Sequence, residues 1–294
     1  MPSLKEVRTR IESVNSTKQI TSAMKMVSAS KLRRAQNAIL KMRPYALKLN
    51  EILQNLSKSI ENSDDEVYSQ VRPIQKILFV VIASNRGLCG AFNSNVIKEA
   101  NRIIQTNYKK QLDEGNVFVH CFGKKVVDFY NNSTYNVVGK EVDLFTVLSF
   151  ENVAAIAENM MADFTAKKYD KIILVYNQFK NAAVYQLSTE QFLPIITSVT
   201  ENKVQALAAD YIFEPDKETI VKELIPKSLK IQFYKALLDS YASEHGARMT
   251  AMHKATDNAI ELLKDLKLKY NKARQASITN EILEIVSGAE ALKG

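Results

Sequence analysis

Residues 231–266 read IQFYKALLDSYASEHGARMTAMHKATDNAIELLKDL, and this stretch decides the fold. No proline follows Pro226, and before the last residue of the chain the only later glycines are Gly246 and Gly288. Apolar or small residues recur in alternating steps of three and four: Ile231, Tyr234, Leu238, Tyr241, His245, Met252, Ala255, Ala259, Leu262, Leu266 and Ala273. That spacing is a heptad seam, and the reading extends from about Asp216 to Val286. Roughly 60 residues at about 1.5 Å each make a rod of about 90 Å, too long for a globular core to cover. Such a helix needs a long partner.

The other end of the chain supplies it. Leu4, Val7, Ile11 and Val14 keep the same step, as do Leu32, Ala35, Ile39, Met42, Ala46, Leu49, Leu53 and Leu56. Ser3 with Glu6 forms a capping box for the first helix. From Lys18 to Ser30 the seam weakens, and Ile20, Met24 and Val27 carry a helical face among small residues that allow close approach of another helix. Pro44 is expected to kink or interrupt the helix, because it lacks an N–H and crowds the preceding turn. Two long helices bracketing the sequence imply an antiparallel coiled coil, residues 1–60 against 216–294, with a domain inserted between them.

The middle switches period. IQKILFVVIA (74–83) is a nearly continuous aliphatic run, the signature of a strand buried on both faces. A turn follows at 84–87, then helical spacing over 91–108. Strands are expected at 116–122, 135–138 and 171–176, with one more possible at 184–194, and helices at 124–130 and 150–166. Alternating strand and helix imply a doubly wound α/β domain over about 74–195. Asp64-Asp65-Glu66 reads as a solvated linker, and 211–214 leads into the C-terminal helix.

Composition narrows the function. The 294 residues carry a net charge of +8 and two cysteines, Cys89 and Cys121, which make neither a disulfide framework nor a zinc set. Residues 1–60 hold 12 Lys+Arg against 3 Asp+Glu, a net of +9, whereas 61–215 and 216–294 carry −3 and +2. At 3.6 residues per turn the basic side chains of the first helix scatter around the whole cylinder, where a phosphate-tracking helix would gather them on one stripe. Nucleic acid is therefore disfavoured, and a rod enclosed by acidic protein surfaces fits better. The N-terminus has no apolar run, and no segment offers some 18 uncharged apolar residues, so contact with a membrane is expected to pass through other proteins.

No catalytic machinery emerges. Arg86-Gly87-Leu88-Cys89-Gly90 lies between a buried strand and a helix, where α/β folds place phosphates, yet it matches neither G-x-G-x-x-G nor a P-loop. It reads as a tight strand-to-helix turn whose Arg86 can anchor another chain. His245 and His253 are two helical turns apart, roughly 12 Å, too far to share a metal, and His120 lies on a core strand. Neither a metal nor a cofactor is expected.

Four stretches together resemble the gamma subunit of F-type ATP synthase: KQITSAMKMVSASKLRRAQ (18–36), SNRGLCGAFN (84–93), ARMTAMHKATDNA (247–259) and YNKARQASITNEILEIVSGAEAL (270–292). They run through the chain in order. The resemblance implies a central rotor shaft without an active site. Its terminal helices would form an antiparallel coiled coil inside a ring of alpha and beta subunits, and its nucleotide-free Rossmann-like domain would sit with the epsilon subunit and the c-ring. It places Met24, Lys25, Arg33 and Arg34 in the segment facing the beta subunits. Arg274, Gln275, Thr279 and Glu281 match positions that touch beta loops, and 282–286 match the apolar bearing. The family commonly has Asp where this chain has Asn85. With no transit peptide, the resemblance implies a bacterial, peripheral subunit at the cytoplasmic face of the cell membrane. The alternative from another class is a free-standing coiled-coil scaffold or nucleic-acid adaptor, which co-purification with ATPase alpha and beta chains would separate.

Overall fold

The computed structural model describes residues 4–57, 67–195 and 217–291, and the side chains of 50–51, 53–57 and 217–222 lie outside that description. The chain runs α1 (Leu4–Ser57), β1 (Ile77–Ile82), α2 (Phe92–Asn107), α3 (Lys109–Asp113), β2 (Val117–Phe122), α4 (Lys124–Tyr130), β3 (Asn136–Glu141), α5 (Phe150–Thr165), β4 (Lys171–Phe179), β5 (Tyr185–Leu193) and α6 (Lys217–Ala291). A 3₁₀ turn, Asp143–Phe145, precedes α5. The expected strands and helices are present, with β3 longer than its sequence pattern suggested and α3 added after a break at Tyr108. Ser3, the 64–66 acidic run and 211–214 fall outside the described residues.

Two compact units emerge, residues 1–29 with 248–294 and residues 30–247. In the first, α1 and α6 pack antiparallel, and Thr21 Oγ1 meets Thr256 Oγ1 at 2.8 Å. On α6 a seam of buried and half-buried residues runs through Met252, Thr256, Ala259, Leu263, Leu266 and Tyr270, in alternating steps of four and three. On α1 the matching seam runs through Leu4, Val7, Ile11, Val14, Lys18, Thr21, Lys25 and Ser28, each buried or half-buried. With Thr21 opposite Thr256, an antiparallel register sets Val14 against Leu263, Ile11 against Leu266 and Val7 against Tyr270.

Two sequence expectations change here. Leu262 is 41% exposed while its neighbour Leu263 is buried, because the register with α1 selects one of two adjacent leucines. Ile20 and Val27 are 60% and 58% exposed, whereas Thr21 and Ser28 are buried at 8% and 2%. The heptad phase set by Leu4 to Val14 runs straight through the hydroxyl positions, whose small size permits close helix approach, and it turns the larger apolar residues outward.

The second unit is built on a five-stranded sheet of order β3-β2-β1-β4-β5, with β5 antiparallel to β4 and the rest parallel. Central β1, ILFVVI, is buried at every residue, as a parallel strand covered on both faces must be. Ile77, Phe79 and Val81 face α2 and α4, while Leu78, Val80 and Ile82 face the other layer. Asp170 ties β1 to β4 at their starts, accepting from the Gln75 and Lys76 N–H groups at 3.0 and 2.9 Å.

That other layer contains α6 as well as α5. Leu229, Phe233, Ala236 and Leu237 join Val153, Ala157 and Phe164 on the sheet. Tyr234 packs edge-on against Phe150, and Tyr241 stacks on Phe145. These two tyrosines, read as seam residues from the sequence, thus pack against the α/β domain. From Ala236 to Gly246 every residue but Tyr241 is buried, so this stretch of α6 is covered nearly all round. Along α1 in this unit Leu32, Ala35, Ile39 and Leu49 continue the heptad phase and are buried. Pro44 does not interrupt α1. It lies on the exposed side, as does Leu40 four residues earlier, whose carbonyl can turn to water where the proline ring crowds it.

Candidate partner-binding surfaces

The β1–α2 turn is held from below. Ser84, fully buried, places its hydroxyl 2.7 Å from the Arg86 carbonyl and 2.9 Å from Asn93 Oδ1, and its N–H donates to that same Oδ1 at 3.0 Å. Asn93 Nδ2 in turn donates to the buried Cys89 Sγ at 3.3 Å. Asn85 makes a clamp: Nδ2 donates to the Val142 carbonyl at 2.7 Å, and Oδ1 accepts from the Lys124 N–H at 2.9 Å. An amide can do both at once, whereas a carboxylate could only accept. Above this base the chain turns sharply, with Leu88 and Gly90 both at φ 61°. Arg86 and Leu88 are presented outward, Leu88 at 64% exposure.

The fork between β1 and β4, where a doubly wound sheet reverses strand order, is bonded by protein groups. Asn177, at 0% exposure, donates from Nδ2 to the Phe92 carbonyl at the head of α2, and its own carbonyl accepts from Ser243 Oγ at 3.0 Å. Gly246 passes the β4–β5 turn so closely that a Cβ would lie 2.8 Å from the Ala182 carbonyl oxygen. Nearby, Tyr176 donates to Glu190 Oε1 at 2.5 Å. Burial pushes the Asp239 carboxyl up to about 6, against the pull of Lys235, Arg43 and Lys180.

The nine residues singled out from the sequence occupy separate places. Met24 and Lys25 are half-buried on α1 within the two-helix unit, and Arg33 and Arg34 are exposed farther along α1. Arg86 caps the β1–α2 turn. Arg274, Gln275, Thr279 and Glu281 are all exposed near the end of α6. There the register has run past Leu4, the first described residue of α1. Thr279 Oγ1 donates to the Gln275 carbonyl at 2.9 Å, and Glu281 Oε1 accepts from Ser277 Oγ at 3.2 Å. Beside them Ile278, Ile282, Leu283, Ile285 and Val286 are 48–71% exposed. Among the described residues no helix is long and apolar enough to cross a membrane, and no His, Cys, Asp and Glu side chains group to hold a metal ion.

The chain matches the family described as ATP synthase over residues 3–292. It is 60% identical over 294 residues to the ATP synthase gamma chain of Flavobacterium johnsoniae, covering all of both chains. This chain belongs to the ATP synthase gamma chain family. A more distant gamma chain, from Chlorobaculum parvum, is 44% identical with all of both chains covered. Among solved structures, the central stalk and c-ring of the Tetrahymena thermophila mitochondrial ATP synthase contains a similar chain at 25% identity and TM-score 0.59, covering 80% of this chain and 99% of that one. A chain of the Euglena gracilis mitochondrial ATP synthase shares the fold at TM-score 0.68 and 20% identity, covering 98% and 94%. A gamma chain is a subunit of the synthase and not a catalytic one.

Sequence reasoning missed the Asn85 clamp and the sheet-facing stripe of α6. The stripe had a signal: Leu229, Phe233, Ala236 and Leu237 fall at i, i+4, i+7 and i+8, a second apolar face beside the seam.

Proposed function

We propose that this chain is the central rotor shaft of a proton-translocating F-type ATP synthase of the bacterial type, coupling c-ring rotation to sequential conformational change of the catalytic beta subunits. In this role residues 1–60 and 216–294 form the shaft and residues 74–195 the foot. The shaft turns inside a ring of alpha and beta subunits. Met24, Lys25, Arg33 and Arg34 face the beta subunits, and Arg86 anchors the foot, which sits with the epsilon subunit and the c-ring, to a neighbouring subunit. The chain thereby meets the membrane only through other subunits, at its cytoplasmic face, and takes neither nucleic acid nor cofactor.

One observation carries this reading: from Arg274 onward α6 outruns α1 and exposes nearly every residue to Ala291. A lone helix inside a ring cannot grip its surroundings by burial without sticking. Directional polar contacts that form at one angle and break at the next suit a rotating part. Arg274 offers a forked donor to carboxylates, worth about 1–3 kcal/mol where partly desolvated. Gln275 can donate and accept, while Thr279 and Glu281 turn acceptor oxygens outward, since the Thr279 proton is used within the helix. The test is Arg274→Ala with Gln275→Ala in assembled complexes, measuring ATP hydrolysis together with proton pumping. A lower pumping yield per ATP is expected. Unchanged hydrolysis and pumping would remove these side chains from force transmission.

A further inference from the structure

His120 lies at the irregular seam between β2 and β3, where the pairing register shifts between Val119 and His120. Its ring sits against Phe122, with centroids 4.6 Å apart, and covers Gly139 of β3 so closely that a Cβ there would clash with Nε2 and Cδ2 of the imidazole. Nε2 is 3.5 Å from Glu141 Oε1, too long for a well-formed hydrogen bond, and has no hydrogen-bond partner among the described residues. The ring borders a cavity of about 110 Å³.

The groups around this cavity are few. β3 contributes Glu141, α5 contributes Asp163 and Asn159, and the segment entering β4 contributes Lys168 and Tyr169. Lys168 is already paired with Asp163 at 3.0 Å, which leaves Glu141 as the carboxylate nearest the imidazole. β1 offers only the side chain of Leu78. Burial holds the imidazole below its usual value, and Glu141 and Asp163 pull it back up. A depressed histidine binds its proton more weakly folded than open, so acidification below about 6.5 favours the open state.

β3 is the strand exposed to this bias, since it is an edge strand bonded on one side only. Its end is also tied to the β1–α2 turn. The Glu141 carbonyl accepts from the Gly123 N–H at 2.9 Å, and the Val142 carbonyl accepts from Asn85 Nδ2.

We propose that His120 is an acid-operated latch on β3. Neutral, its ring closes over Gly139 and holds the edge strand. Charged, it leaves that seat for water and loosens Asn136 to Val142, together with the turn that Asn85 ties to them. What a partner docked at Arg86 would feel rests on the function proposed above; the loosening of β3 does not, so a failed assembly assay and a failed latch are distinguishable.

The test is amide hydrogen exchange of the full chain at pH 7.5 and 5.5, corrected for intrinsic exchange rates. On acidification the β3 amides should lose protection relative to β1, by up to about tenfold, the limit that an open-state value of about 6.5 sets at about pH 5.5. His120→Gln should abolish the difference. An equal loss in the His120→Gln chain, or no loss selective for β3, overturns the latch. Should that variant fail to fold, the imidazole resonance of His120 in the unmodified chain decides: a midpoint below 6.5 supports the latch and one at or above it overturns it.

Discussion

Thr21 and Thr256 face each other across the two-helix unit at 2.8 Å, and each hydroxyl also reaches a carbonyl of its own helix, Lys18 at 3.1 Å and Met252 at 2.8 Å. Each hydroxyl has one proton, so the pair has two protons for three contacts. One proton therefore crosses between helices while the other bonds backward. This polar contact at a buried heptad position fixes register as a buried asparagine does in other coiled coils.

Thr21→Val should cost about 1 kcal/mol, because it strips the cross-helix partner from Thr256 and puts a methyl in its place. The double change Thr21→Val with Thr256→Val should cost less than the two single changes together, since no half-satisfied hydroxyl remains. Denaturant melts of the four chains give the coupling energy. Strict additivity would mean that the two hydroxyls do not interact.

Gly246 and Gly288 both lie inside α6, and replacing them by alanine should have opposite effects. In an open helix alanine gains about 1 kcal/mol over glycine, and at Gly288 nothing lies within 4 Å of the added Cβ. Gly288→Ala should therefore raise helicity, measurable by circular dichroism. At Gly246 the Cβ would press on the Ala182 carbonyl at 2.8 Å, a backbone atom that cannot swing aside. Overpacking costs about 1–3 kcal/mol and outweighs the propensity gain, so Gly246→Ala should lower the melting midpoint.

Asp239, 5% exposed on α6, should make stability fall as pH rises. Its carboxyl moves from 3.8 to about 6 on folding, with burial as the first cause. The folded chain thus takes up this proton more readily than the unfolded one. Its cost is absent below 3.8, grows through the interval and is complete above about 6. Asp239→Asn should stabilise the chain by roughly 1–3 kcal/mol at pH 7.5, with the gain shrinking toward pH 4.5. His120 tilts stability the other way below about 6.5, so melts of both variants across pH are needed to separate the two groups. An Asp239→Asn gain independent of pH would contradict the burial argument.

The strands were legible because β1 and β4 are buried on both faces, and an aliphatic run such as ILFVVI has few other uses. The helical phase was legible only in part. Leu262 and Leu263 are equally apolar, and only the partner helix distinguishes them. At Ile20 and Thr21 hydrophobicity pointed the wrong way, because the space between the helices there admits small side chains. The exposure of Arg86 followed from its place after a buried strand. The clamp beneath it did not, since Val142 and Lys124 lie 57 and 39 residues from Asn85 and become its neighbours only when β2 and β3 line up beside β1.

Asn85→Asp should be a pH-dependent lesion. The change is nearly isosteric, so packing should be preserved and the hydrogen-bond inventory decides. An ionised carboxylate can still accept from the Lys124 N–H, but it turns an acceptor toward the Val142 carbonyl at a contact now only 2.7 Å long. Losing that donor leaves the carbonyl unpaired and sets two oxygens against each other, at a cost of about 1–3 kcal/mol at neutral pH. A protonated carboxyl regains one O–H donor and can restore the bond. The variant should therefore be less stable than the unmodified chain at pH 7.5 and approach it near pH 4. Because Asn85 joins the Arg86 turn to the end of β3, hydrogen exchange at neutral pH should show the loss at residues 84–90 and 136–142 before other strands open. Full stability of Asn85→Asp at pH 7.5 would mean that the turn is held by Ser84 and Asn93 alone.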